Sequence, residues 1–126
     1  MKKIMLLMAA LFFVSFSAAA FADEGPLAFP MREGSSAEAN KHNEEGISHY
    51  NQGHYDVALK HFHMASKIDS SVGESHFNEA LSLHKMEKHG AATDHFYAAR
   101  KYAQGNEKIL NSALLNEHAA MQREGS

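Results

Sequence analysis

The chain has 126 residues, no cysteine and a formal net charge of −3 at neutral pH with histidine counted as neutral. This length accommodates one small domain. The lack of cysteine excludes disulfides and thiolate metal sites, and the acidic balance disfavours nucleic-acid binding.

The first 22 residues have the pattern of a secretory signal peptide. Lys2 and Lys3 precede an apolar run over residues 4–16, and small residues then lead to the A-x-A cleavage site at residues 20–22. A membrane anchor is the alternative, but an apolar core of about 13 residues is short for a span of about 20. We therefore predict export to the periplasm or secretion, cleavage before Asp23, and no stable membrane span afterwards.

Residues 23–37 predict a flexible N-terminal arm, because they hold both prolines and two of the eight glycines. The arm has an apolar patch at residues 27–29, and whether it docks on the rest of the protein stays open. Residues 38–122 contain no proline, and their apolar residues recur at helical spacing. They predict one helical domain, followed by a short tail at residues 123–126.

Within this domain the sequence predicts an all-α fold. We expect five helices, at about residues 38–52, 55–69, 73–87, 90–103 and 107–122. Capping boxes at residues 35–38 and 71–74, and a candidate N-cap at Asn106, mark three of the helix starts. The first four helices should form two antiparallel hairpins, with the fifth packed on the second hairpin.

Residues 39–72 and 73–106 align without a gap as a 34-residue repeat. Eight positions are identical, where random pairing would give about two. They are His42/His76, Glu45/Glu79, Ser48/Ser82, Ala58/Ala92, His61/His95, Phe62/Phe96, Ala65/Ala99 and Lys67/Lys101.

The period and the placement of small residues resemble the tetratricopeptide repeat. The family's motif positions are filled by Gly46, Tyr50, Gly53, Tyr55, Ala58, Phe62 and Ala65 in the first unit, and by Ala80, Ala92, Phe96 and Ala99 in the second. The sequence departs from the family where a tryptophan is replaced by His42 and His76, and a leucine by Glu45 and Glu79. The resemblance implies a short solenoid of two repeats plus a C-terminal capping helix.

The resemblance also implies that a protein or peptide partner binds in a concave groove. By the family's geometry the groove would be lined by Asn43, Ile47, Tyr50, Phe77, Leu81, His84, Asn111, Leu115 and His118. The lysine of the family's peptide-carboxylate clamp is missing, so a C-terminal carboxylate ligand is not favoured. Self-association through the apolar part of this stripe is a further option.

The sequence has no phosphate-binding glycine loop, nucleophile elbow, H-E-x-x-H motif or paired-carboxylate signature. We therefore predict a non-enzymatic scaffold that needs no cofactor.

The alternative function comes from the ten histidines, which all follow residue 22. Imidazole is a good ligand for zinc, copper and nickel, so the protein could be a histidine-rich periplasmic metal carrier. However, no two histidines are three or four residues apart, the spacing that places two ligands on one helix face. We therefore predict no dedicated metal site, and name His61, His63 and His95 as the first residues to test. A response to pH is the other role that stays open for the histidines.

Overall fold

The computed structural model describes residues 24–124, with side chains described as far as Met121. This part of the chain is all-helical and has no strand, which confirms the predicted all-α class. The helices are α1 (Ala37–Asn51), α2 (Tyr55–Ile68), α3 (Gly73–Lys85), α4 (His89–Lys101), α5 (Glu107–Leu110) and α6 (Ala113–Glu124). Among them, no helix has the length and apolar character needed to cross a membrane. The predicted signal peptide lies outside the described residues.

Consecutive helices pack against one another along the chain. α1 pairs with α2 and α3 with α4 as hairpins, α2 packs on α3, and α6 packs on α4. Three phenylalanines, Phe62 of α2, Phe77 of α3 and Phe96 of α4, are at most 1 % exposed and fill the space between these helices. The core therefore runs without interruption through both hairpins and onto α6.

The predicted helix boundaries agree with the structure to within two residues, except in the last helix. A break at Asn111 and Ser112 divides the predicted helix at residues 107–122 into α5 and α6. The first hairpin turns at Gly53, whose φ of 80° is a conformation that glycine adopts without strain. The second turn lacks a glycine, and Glu87 takes a φ of 60° there.

Two of the three predicted helix starts are capped by a side chain. The N-cap of α1 is Ser36, one residue after the predicted Ser35, and it accepts from the Ala39 N–H. Asn106 caps α5 as predicted. The predicted cap at Ser71 is wrong, because Ser71 bonds to Asp69 and α3 starts without a side-chain cap.

The N-terminal arm is docked on the helices. Asn78 accepts a hydrogen bond from the Leu27 N–H at 2.6 Å and donates to the Leu27 carbonyl at 2.8 Å, while Asn43 donates to the same carbonyl at 3.0 Å. Upstream of Leu27, the Glu24 carboxylate accepts hydrogen bonds at the start of α6, including the Ala113 N–H at 2.9 Å. The arm therefore bridges α1, α3 and α6.

The close approach of α1 and α2 depends on Gly46. A Cβ at this position would lie 2.5 Å from Cε1 of Phe62, a side chain that is fully buried. We expect Gly46→Ala to lower the free energy of unfolding by about 1–3 kcal/mol, because the Phe62 ring has no space into which to move. Urea denaturation measures the change.

Gly90→Ala is the matched control, since no atom lies within 4 Å of a Cβ placed there. Alanine in a helix is intrinsically better than glycine, so this variant should be neutral or more stable by up to about 1 kcal/mol. Equal losses in the two variants would contradict the proposed steric role of Gly46.

The docking of the arm predicts a second stability effect. Asn78→Ala removes both side-chain hydrogen bonds to Leu27 and should cost about 1–3 kcal/mol, with faster proteolysis within residues 24–36. Asn40→Ala, which loses only an exposed contact of 3.4 Å to Glu44, should change stability by less than about 0.5 kcal/mol. Unchanged proteolysis of the arm in Asn78→Ala would contradict this account.

Candidate metal centres

The residues predicted to line a groove lie mostly inside the protein. Phe77, Leu81, Leu115, Asn43 and His118 are at most 1 % exposed. Tyr50 is also buried, Ile47 and His84 are partly buried, and Asn111 is exposed.

The arm accounts for part of this burial. Leu27 packs against the same core as Phe77, and Glu24 and Gly25 lie beside Phe77 and Asn111. The surface on which a partner was expected to bind is thus occupied at this end by the protein's own N-terminal segment.

The histidines, in contrast, gather into groups that single-helix spacing did not predict. In the first hairpin, His42 and Glu45 of α1 face His61 of α2. Nδ1 of His61 lies 3.1 Å from Oε2 of Glu45, Nδ1 of His42 lies 3.8 Å from the same oxygen, and the two Nδ1 atoms are 3.5 Å apart. The ring of His49 stacks on His61 at 5.5 Å, which helps to fix its orientation.

The second hairpin contains the same arrangement. His76 and Glu79 of α3 face His95 of α4. Oε2 of Glu79 lies 3.3 Å from Nδ1 of His76 and 3.2 Å from Nδ1 of His95. The His76 ring lies between those of His95 and Tyr102, with centroids at 6.1 and 5.8 Å.

These two groups, which we call the first and second triads, occupy identical positions in the 34-residue repeat. All three members of each triad belong to the eight positions that are identical between the units. The same atoms, two Nδ1 nitrogens and one carboxylate oxygen, converge in both hairpins. The repeat therefore preserves a group of two histidines and one glutamate as well as the packing positions.

The environments of the two carboxylates differ. The side chain of Glu45 is 41 % exposed, whereas that of Glu79 is 1 % exposed. Glu79 lies where α2 of the first hairpin packs on α3, and α2 supplies two further partners. Ser66 donates to Oε2 at 2.7 Å and His63 Nδ1 lies 2.9 Å from Oε1. Glu45 is in the terminal hairpin, and no preceding helix covers it in the described chain.

Burial alone would raise the pKa of Glu79, because it disfavours the charged carboxylate. Polar contacts of the carboxylate with His76, His95 and Ser66 outweigh this effect and lower the pKa to about 2. Glu79 is therefore an ionised carboxylate inside the protein, held by partners from three helices.

The hydrogen bonds of His76 define which ring nitrogen can act as a ligand. Nε2 lies 2.8 Å from the Ser70 carbonyl, which can only accept, so Nε2 carries the proton. Nδ1 is buried and close to Glu79, but it is not aligned for a hydrogen bond with any described residue. The Glu79 carboxylate raises the pKa of His76 against the opposing effect of burial. A cation between Nδ1 and the carboxylate would satisfy both atoms.

The triad distances fit a transition-metal ion. Metal–nitrogen distances of about 2.0–2.1 Å in a tetrahedral site place neighbouring ligand atoms about 3.3 Å apart. The Glu79 carboxylate lies 3.2 and 3.3 Å from its two histidine nitrogens in the second triad, and the three separations in the first triad are 3.1, 3.5 and 3.8 Å. A histidine that ligates a metal commonly donates its other N–H to a carbonyl, as His76 does to Ser70.

The structure places all three histidines named from the sequence at the triads. His61 belongs to the first triad, His95 belongs to the second, and His63 contacts the Glu79 carboxylate. The sequence analysis did not name His42, His76 and the two glutamates as ligands, because the members of each triad come from the two helices of one hairpin. The spacing His-x2-Glu-x15-His, which occurs at 42–61 and again at 76–95, was the available signal.

Comparisons of the chain with protein-family models, with curated proteins and with solved structures find no match. The resemblance to the tetratricopeptide repeat is therefore still a prediction. Function has to be inferred from the geometry of the described residues.

The two glutamates give a matched test of this geometry without any metal. In the presence of a chelator, Glu79→Ala should cost about 3 kcal/mol of unfolding free energy, since it removes the carboxylate that the buried Ser66 and the partly buried His76 contact. Glu45→Ala should cost less than about 1 kcal/mol, because its ion pairs are solvent-exposed. Similar losses from both substitutions, measured by chemical denaturation, would contradict the difference in burial.

Proposed function

We propose that this protein binds divalent transition-metal ions through the two triads, and that it acts as an exported metal carrier and not as an enzyme. The observation that carries the proposal is the recurrence of two imidazoles and one carboxylate, with their ligand atoms within 4.8 Å of one another, at identical repeat positions. Export rests on the signal-peptide pattern of residues 1–22.

The chemistry of the donor set favours zinc, copper or nickel. Imidazole nitrogen suits these ions, whereas magnesium and calcium prefer sites made of oxygen alone. Three protein ligands leave a fourth position for water or another small ligand. The single carboxylate reduces the charge of a divalent ion to +1, which makes its transfer into a partly buried site less costly.

The second triad should bind more tightly than the first. Ser66 and His63 already hold the Glu79 carboxylate in place, so little ordering is needed when an ion binds. Glu45 is only partly buried and His42 Nδ1 lies 3.8 Å from its carboxylate, so the first triad must contract around the ion.

The triads also bear on the proposed tetratricopeptide-like solenoid. The histidines and glutamates at the repeat's tryptophan and leucine places would be unfavourable as packing residues alone. Their role as paired ligands gives a physical reason for these departures, while the small residues and phenylalanines keep the packing positions. We infer that the hairpins are tetratricopeptide-like units modified for metal binding.

A protein-binding scaffold is the competing function from the sequence. It depends on an open groove, and the arm lies along part of the expected lining. We therefore place metal binding ahead of partner binding.

Zinc titration by isothermal calorimetry tests the proposal on purified, chelator-treated protein. Glu79→Gln keeps the side-chain volume but replaces the anionic ligand, and it should weaken the tighter binding event at least tenfold. Glu45→Gln should weaken a different, looser event. The combined variant should show both binding events weakened.

His54→Ala is the control, because His54 is exposed and outside both triads. Zinc at 100 times the dissociation constant should stabilise the wild type by about 2.7 kcal/mol per site, seen as a higher melting temperature. The proposal is wrong if the combined glutamate variant and His54→Ala bind zinc with the same stoichiometry and affinity as the wild type.

A further inference from the structure

A third group of histidines lies apart from the triads, where the second hairpin meets α6. We propose that His84, His89 and His118 form a separate zinc-type metal site made of imidazoles alone. The proposal goes beyond the triads and does not depend on them, because it uses different residues and a different set of donor atoms.

The three side chains come from three helices. His84 lies in the last turn of α3, His89 is the first residue of α4, and His118 is on α6, which packs against α4. Each offers a ring nitrogen within 4.8 Å of the others. Nδ1 of His84 and Nε2 of His118 are 3.1 Å apart, close to the spacing of about 3.3 Å expected between ligands of one tetrahedral ion.

Thr93 fixes the ring of His118. Its hydroxyl donates to the His89 carbonyl at 2.9 Å, so it accepts at 2.7 Å from the Nδ1–H of His118. This assigns the proton of His118 to Nδ1 and directs the Nε2 lone pair at His84. The arrangement is that of a metal ligand whose other ring nitrogen is anchored by a hydrogen bond.

The packing of His118 also restricts its ring. Its side chain is 1 % exposed and lies against Phe96, with ring centroids 4.9 Å apart. Together with the contact to Thr93, this packing keeps Nε2 directed at His84.

The ring packing brings the third imidazole into range. Ring centroids are 5.2 Å apart for His84 and His89, and 5.9 Å apart for His89 and His118. His89 is exposed, so the group opens to solvent on one side and is closed by His118 on the other. An ion can enter past His89 while its coordination by His118 is preorganised.

The donor atoms make this site distinguishable from the triads. The triad histidines present Nδ1, whereas His118 presents Nε2 and keeps its Nδ1–H on Thr93. Three neutral ligands also leave a divalent ion with its full charge of +2, so the fourth position favours an anion such as chloride or hydroxide.

Imidazole ¹⁵N NMR of the full protein, titrated with zinc, tests the proposal site by site. We expect Nε2 of His118 to show the shift of a metal-bound nitrogen, with its Nδ1–H retained. The experiment is repeated in the Glu45→Gln, Glu79→Gln double variant. The shift at His118 persists there if the third site is separate, even when the triad signals no longer respond.

Three variants identify the ligands without removing the buried His118. His89→Ala removes the exposed ligand and should weaken zinc binding at this site at least tenfold. Thr93→Val removes the anchoring hydroxyl and should weaken it 10- to 100-fold, whereas Thr93→Ser should restore most of the affinity.

The control is His54→Ala. His49 and His54 are a second pair five residues apart at a hairpin turn, with Nδ1 atoms 3.5 Å apart, but they belong to no group of three among the described residues. Zinc binding that leaves the ¹⁵N signals of His118 and His84 unchanged overturns the proposal. The proposal is also overturned if the zinc dissociation constant obtained from the His118 signal is the same in His89→Ala, in Thr93→Val and in the wild type.

Discussion

The Glu79 carboxylate lies between the two hairpins with 1 % of its side chain exposed, and its charge has to be compensated there. His63 and Ser66 approach it from α2, His76 from α3 and His95 from α4. Because these partners come from three helices, a shift of either hairpin would leave a buried charge unpaired. The relative placement of the hairpins and the geometry of the second triad are consequences of one constraint.

In the first triad the equivalent carboxylate, that of Glu45, is more exposed because of its position in the array. Glu45 has its His42 and His61 partners, but among residues 24–124 no helix precedes the first hairpin to supply equivalents of His63 and Ser66. Its carboxylate is therefore 41 % exposed. The repeated sequence thus produces one buried and one partly exposed group of the same polar side chains, because only the second group is covered by the helix of a preceding hairpin among the described residues.

Helical periodicity was sufficient to predict the fold class and four of the helices, because these features depend on local spacing. The break at Ser112 was not predictable in this way. The Glu24 carboxylate bonds to Ser112 Oγ and to the Ala113 N–H, so a residue almost ninety positions away stabilises the start of α6. The triads were not predicted for a similar reason, since the members of each come from two helices of one hairpin. Glu45 and Glu79 were recognised as repeat identities and as departures from a packing motif, but not as members of these groups.

The burial of Leu81 and Leu115 means that the short array does not need a partner to cover these two side chains. A stripe containing these residues was expected to need a partner, because isolated helical units cannot cover their apolar faces. Both side chains are 1 % exposed in the single chain, where the continuous core, the docked arm and α6 exclude water. These two side chains therefore provide no surface for self-association. The polar groups that face one another between the helices are instead the basis of the proposed function, in which a metal ion would supply the positive charge that their lone pairs can coordinate.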